Sequence, residues 1–325
     1  MTRKCTPVWR PVLALLIGVV AAALAPPAYA APPHVTILTR DVDRFFAVYD
    51  RAHGKPTAQD LQTSYLDAGS DALHGFARDR KITGVTLQAA IEKNPAIYDG
   101  ARRCAAVLPG IRRRLTTALA RLAAVYPPAR FPPVTIAIGR GNTGGTTNQA
   151  GVVMGLETLC AAPYLDPDVE SRFVHLIAHE YAHIQQPAAQ TDPVKPTVLF
   201  VSLVEGGAEL VGEVISGDVG NYQFKRWTLG REREIETKFQ AEMDGTTLDD
   251  WLWHGPGNAE HPGDLGYWVG YRIARSYFNH ATDKCRALSD IIRMSDPHAL
   301  LARSGWTPGM GAGPKPVLPA SCPRQ

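Results

Sequence analysis

Cysteine is scarce in this chain and neither sign of charge dominates it. Five cysteines occur in 325 residues, and no two stand close enough for a cysteine-based zinc knuckle. Lysine and arginine number 34 against 31 aspartate and glutamate. Three of the basic residues, Arg3, Lys4 and Arg10, fall in the first thirty positions, so the remainder carries 31 of each sign. Nothing global therefore points to nucleic acid, whose binders need a basic surface. No internal repeat is present. The glycine-containing stretch "GRGNTGGTT" lacks the spacing of a phosphate-binding loop and reads as turn chemistry.

What is present begins with a targeting pattern. Arg3, Lys4 and Arg10 flank an apolar run, "VLALLIGVVAAALA", followed by "AYA" ending at Ala30. That is the layout of a secretory signal peptide over residues 1–30. The run is short against the ~20 residues that a membrane span needs. The expectation is an exported protein, periplasmic or secreted, with no stable membrane association after cleavage. Cys104, Cys160, Cys285 and Cys322 then remain, an even set that fits two disulfides in an oxidising compartment. A Cys285–Cys322 bridge would tie down a tail rich in proline and glycine. Arg102, Arg103, Arg112, Arg113, Arg114 and Arg121 cluster on one helical stretch and read as a solvated face rather than an anion site.

The pattern predicts an α+β fold that is mostly helical. Residues 31–130 show apolar spacings of three and four, the mark of amphipathic helices. "YPPARFPP" stops helix, because proline lacks a donor and clashes with the preceding turn. "VTIAIG" (134–139) and "AGVVMGLE" (150–157) read as strands joined in a hairpin, giving a small antiparallel sheet. The second of these, if at an edge, could pair with an extended peptide. Asp166 or Asp168 caps a helix running through "HLIAHEYAHIQQ". "TVLFVSLVEGGAELVGEVIS" forms a second strong helix, "YQFKRWTLGREREIETKFQAEM" a third, and "LGYWVGYRIARSYFNHA" a fourth. Residues 131–302 hold these elements, continuous with the preceding region, and 303–325 form an irregular tail.

Chemistry concentrates at residues 179–183, "HEYAH". Positions i and i+4 share a helix face, so His179 and His183 present two imidazoles to one point, with Glu180 adjacent. This is the HExxH arrangement of zinc metallopeptidases, two histidine ligands and a glutamate base. The helix is otherwise apolar, and buried polar side chains require partners or a metal. A catalytic zinc needs a third protein ligand. The metzincin option requires Gly at 186 and His at 189, where this chain has Gln186 and Ala189. Glu205, Glu209 and Glu213 line one face of the next apolar helix, and a cation would offset the cost of burying them. Spacing alone leaves Glu205 and Glu209 both open as the ligand.

"HEYAH", then "EGGAE" after twenty-one residues, then "GYWVGYRI", resemble a bacterial family of predicted zinc-dependent proteases of the gluzincin, peptidase MA-like kind. "YLDAGSDALHGFARDRKI" is similar to that family's upstream region. The resemblance implies a zincin-like fold with the sheet packed against the HExxH helix and one Zn2+ per chain. It implies His179, His183 and Glu205 as ligands, Glu180 as general base, and Glu209 as acceptor of a histidine N–H behind the metal.

The reaction that follows is hydrolysis of a peptide or protein substrate. Zinc supplies an acidified water and a polarised carbonyl, Glu180 moves the proton, and a donor steadies the oxyanion. Tyr267 and Tyr271 are the candidate donors, with His254 and His261 further off, and aromatic packing beside Trp268 and Phe278 is the ordinary alternative for each tyrosine. Two other functions compete: a non-catalytic, zinc-stabilised peptide-binding protein, and an amide hydrolase of cell-wall peptides. Retention of Glu180 argues against the first, because a structural site needs no base.

Overall fold

The computed structural model describes residues 36–148, 151–191 and 193–323. The segment expected to be a signal peptide lies outside these residues. Local sequence sets the helices that carry the site. The histidine helix, Val169–Gln185, starts where the Asp168 carboxylate accepts the Ser171 N–H at 2.6 Å, which satisfies one of the orphan donors of a first turn. The glutamate helix, Val198–Ser216, starts on the Thr197 hydroxyl and ends at Gly217, which has φ +110°. Only glycine takes that left-handed conformation at little cost. The tyrosine helix, Leu265–His280, follows a long loop.

The glutamate and tyrosine helices meet almost backbone to backbone. A Cβ on Gly206 would lie 2.0 Å from the Tyr271 nitrogen, and one on Gly270 would lie 1.7 Å from the Ser202 oxygen. The glycine next to Glu205 is thus set by a helix crossing. The third expected helix is divided, Gln223–Trp227 and Glu232–Glu242, with Gly230 at φ +80° between them.

The α+β expectation holds, and the sheet is mixed rather than antiparallel. Its strands are β1 (Ile37–Leu38), β2 (Val134–Ala137), β3 (Gly145–Asn148) and β4 (Gly151–Gly155), in the order β1-β2-β4-β3. β1 and β2 are parallel, β2 and β4 are parallel, and β3 and β4 are antiparallel. The expected hairpin between 134–139 and 150–157 is therefore replaced by one between β3 and β4. β3 comes from the stretch read as turn. Its sequence, Gly-Thr-Thr-Asn, has no apolar alternation to reveal it, because it is an edge strand that contributes little to the core. β4 is fully buried between β2 and β3, so the edge beside the histidine helix belongs to β3.

Two disulfides close the structure, Cys104–Cys160 and the expected Cys285–Cys322. The second holds the tail, whose Cys322 N–H also donates to the Ala124 carbonyl at 2.8 Å. The arginine cluster is largely engaged within the chain: Arg102 with Asp50, Arg112 with the Ile37 carbonyl, Arg114 with Asp168 and Ser171, and Arg121 with the Val214 carbonyl. No helix among the described residues is long and apolar enough to cross a membrane.

Candidate metal centre

The two histidines project from consecutive turns of one helix, and their Nε2 atoms stand 3.0 Å apart. Glu205 reaches them from the glutamate helix, its Oε2 lying 3.4 Å from Nε2 of His179 and 3.2 Å from Nε2 of His183. Ligands at about 2.0–2.1 Å from a tetrahedral zinc are separated by roughly 3.3 Å. The three observed separations are edges of such a tetrahedron. Glu205, rather than Glu209, supplies the third converging atom.

The hydrogen bonds behind the histidines fix their protonation pattern. Gln186 donates from Nε2 to the Val204 carbonyl at 2.9 Å, so its Oε1 is the atom placed 2.7 Å from Nδ1 of His183. That Nδ1 must carry the proton, which leaves Nε2 as a lone pair. Glu209 plays the matching part for His179, with Oε1 at 3.1 Å from Nδ1. This contact is close but not aligned as a full hydrogen bond. A carboxylate only accepts, so here too Nδ1 is the protonated nitrogen. Glu209 is held in turn by the Gly220 N–H at 2.7 Å and by the Asn221 amide at 2.5 Å.

Three lone pairs therefore face one another in a largely buried space, an arrangement that only a cation or protons can stabilise. Without a metal, protons must serve. Burial disfavours charge on His179, but Glu209 and Glu205 outweigh it and hold its pKa well above the usual value. His183 is raised in the same way by Glu205. Burial pushes Glu205 up, yet the two imidazoles hold it far below the usual carboxylate range. The residues thus fit a zinc ion by donor type, spacing and electrostatics.

Glu180 is not one of the three converging donors and lines, with them, a groove of about 910 Å³. Its Oε2 accepts the Thr147 hydroxyl of β3 at 2.9 Å. A Cβ at position 145 would lie 2.9 Å from its Oε1, so a glycine there leaves the carboxylate its space. Tyr267 lines the same groove, its ring stacked on His179 with centroids 6.3 Å apart. Burial, then the charges of Glu205, Asp264 and Glu180, push its hydroxyl pKa well up, so it remains a donor.

Other candidates are placed elsewhere. Tyr271 does not line the groove: it is buried, donates to Glu213 at 2.7 Å and accepts from Arg275 at 2.8 Å. Tyr267 and Tyr271 stand four positions, about one turn, apart on the tyrosine helix and meet different neighbours, and sequence spacing could not choose between them. His254 and His261 are exposed and do not line the groove. Thr147 and Gln186 were missed. Gln186 had a signal, since it follows His183 by three residues on the same face. Thr147 had none without β3.

Residues 146–294 match a family described as predicted Zn-dependent protease (DUF2268). The match covers a little under half the chain, from β3 through the histidine, glutamate and tyrosine helices. No curated protein and no solved structure matches the chain.

Proposed function

We propose that the protein is an exported zinc metallopeptidase of gluzincin type, with His179, His183 and Glu205 holding the metal and Glu180 as general base. One observation carries this reading: three lone pairs converge at tetrahedral spacing in the groove where a separate, hydrogen-bonded carboxylate stands free of them. When bound, zinc supplies an acidified water and a polarised carbonyl.

The chain's own residues supply the rest. Glu180 takes the proton of the attacking water and delivers it to the leaving amine. Thr147 fixes one oxygen of that carboxylate, leaving the other to move the proton. Tyr267 donates to the developing oxyanion. The β3 edge offers the substrate a backbone partner. Gly155 N–H donates to Gly144 O at 3.0 Å across the hairpin, and bonded pairs recur at every second residue of an antiparallel ladder. Thr146 thus turns its backbone groups to β4, while Gly145 and Thr147 turn theirs to the open side, where an extended peptide can add as a strand. Export is supported by the pattern of residues 1–30 and by two disulfides, which persist in oxidising compartments.

The test is Glu180→Gln in the protein from Ala31 onward. The variant should bind zinc as the unsubstituted protein does and lose peptide cleavage; full cleavage by the variant would exclude the mechanism.

A further inference from the structure

The groove has an aromatic rim that the metal chemistry does not need. Among the described residues, few large apolar side chains are exposed, and two of them, Tyr164 and Trp253, line this groove. Trp253 is 61% exposed and has φ +63°. A bulky residue in the left-handed region is strained, and such strain persists where its surroundings over-determine it, typically at ligand clamps.

The surroundings do so here. Before Trp253, Leu252 is buried and its N–H donates to the Leu248 carbonyl at 2.8 Å. After it, the Asp264 carboxylate accepts the N–H groups of His254 at 2.8 Å and of Gly255 at 3.1 Å. Glycine or asparagine would take this backbone conformation with less strain. The indole adds nothing to the core, so its presence is explained by what it meets outside.

The opposite chemistry is also built in. Tyr164 stacks on Trp227 with centroids 6.3 Å apart, and Leu165, Leu176 and Phe224 complete an apolar wall. The charged lining consists of Glu180, Glu205 and Asp264 with a single Arg80. With zinc bound these charges come near balance, so what separates one substrate side chain from another here is the apolar wall and not the sign of its charge.

We infer that the groove selects peptides carrying bulky aromatic or branched apolar side chains near the scissile bond, with Trp253 as the rim residue that seats one of them. The inference rests on the peptidase reading, and the test separates the two. Two labelled peptides of equal length, Gly-Ser sequences with a central Phe-Leu or a central Asp-Ser pair, are titrated by fluorescence anisotropy into zinc-loaded Glu180→Gln. The Phe-Leu peptide should bind at least about tenfold more tightly. Adding Trp253→Ala should weaken it about fivefold, the worth of one aromatic contact, and Trp253→Phe should restore most of that. In the protein with Glu180 intact, Trp253→Ala should raise KM and leave kcat near its starting value. Equal binding of the two peptides, or binding indifferent to Trp253→Ala, would overturn the inference. Tight, Trp253-dependent binding without cleavage by the unsubstituted protein would uphold the aromatic preference and overturn the peptidase reading instead.

Discussion

The glutamate helix buries two kinds of carboxylate, and they are satisfied in opposite ways. Glu213 is closed by protein donors: the Tyr271 hydroxyl at 2.7 Å, with the Arg275 guanidinium 4.0 Å from its other oxygen. Glu205, two turns earlier, faces two imidazole lone pairs and opens on the groove. Identical residue types eight positions apart thus form a structural ion pair at one end and part of a set of converging donors at the other. Burial of a carboxylate does not mark a functional site. What marks it is burial whose partners are themselves acceptors.

That contrast can be broken from either side. The largest effect should come from Glu180→Gln, which removes the proton carrier: cleavage should fall about 10²–10⁴-fold, followed by a steady-state peptide assay, while metal content stays the same. At the closed end, Glu213→Ala takes the acceptor from the Tyr271 hydroxyl, while Arg275 keeps Tyr271 and the Gly313 and Pro314 carbonyls as partners. Leaving a buried donor without its acceptor costs about 1–3 kcal/mol, measurable by denaturant unfolding, yet the folded variant should still bind one zinc.

Smaller effects sharpen the open end. Gln186→Leu removes the acceptor that sets the His183 tautomer, Glu209→Gln takes the negative charge from the acceptor behind His179, and each should weaken zinc binding about 10- to 100-fold in a competition titration with a chelator. The smallest concerns a third buried carboxylate. Glu157 is fully buried, and one of its oxygens lacks a partner. Burial raises its pKa above the ordinary value of 4.5, against N–H groups of Gly139 and Gly141 that lower it. A raised carboxyl binds its proton more tightly in the folded state, so its stabilising contribution is present below about pH 4.5 and is lost as pH rises through the folded value. Glu157→Gln should therefore be more stable than the parent by about 1 kcal/mol at neutral pH, and the difference should vanish on acidification in thermal melts.

Much of this arrangement was legible in the sequence, and its limits are physical. The i, i+4 histidines and the row of glutamates follow from helix periodicity, which fixes which side chains share a face. Periodicity does not say which carboxylate in a row reaches across, because that depends on how the glutamate helix crosses the histidine helix, which it meets at Gly212 against the His179 backbone. The closure of Glu213 by Tyr271 was hidden in the same way, by the crossing with the tyrosine helix. β3 was hidden because an edge strand of Gly, Thr and Asn carries no apolar alternation, and with it went Thr147 and the true edge of the sheet. The Cys285–Cys322 bridge was legible, since an irregular tail needs a tether.

The most direct test is the zinc content of purified protein after reconstitution at neutral pH, compared with Glu205→Ala and Glu213→Ala. If His179, His183 and Glu205 hold the metal, one zinc per chain is expected in the unsubstituted protein and in folded Glu213→Ala, with affinity reduced at least about 10²-fold in Glu205→Ala. Undiminished zinc in Glu205→Ala, or none in the unsubstituted protein, would contradict that assignment.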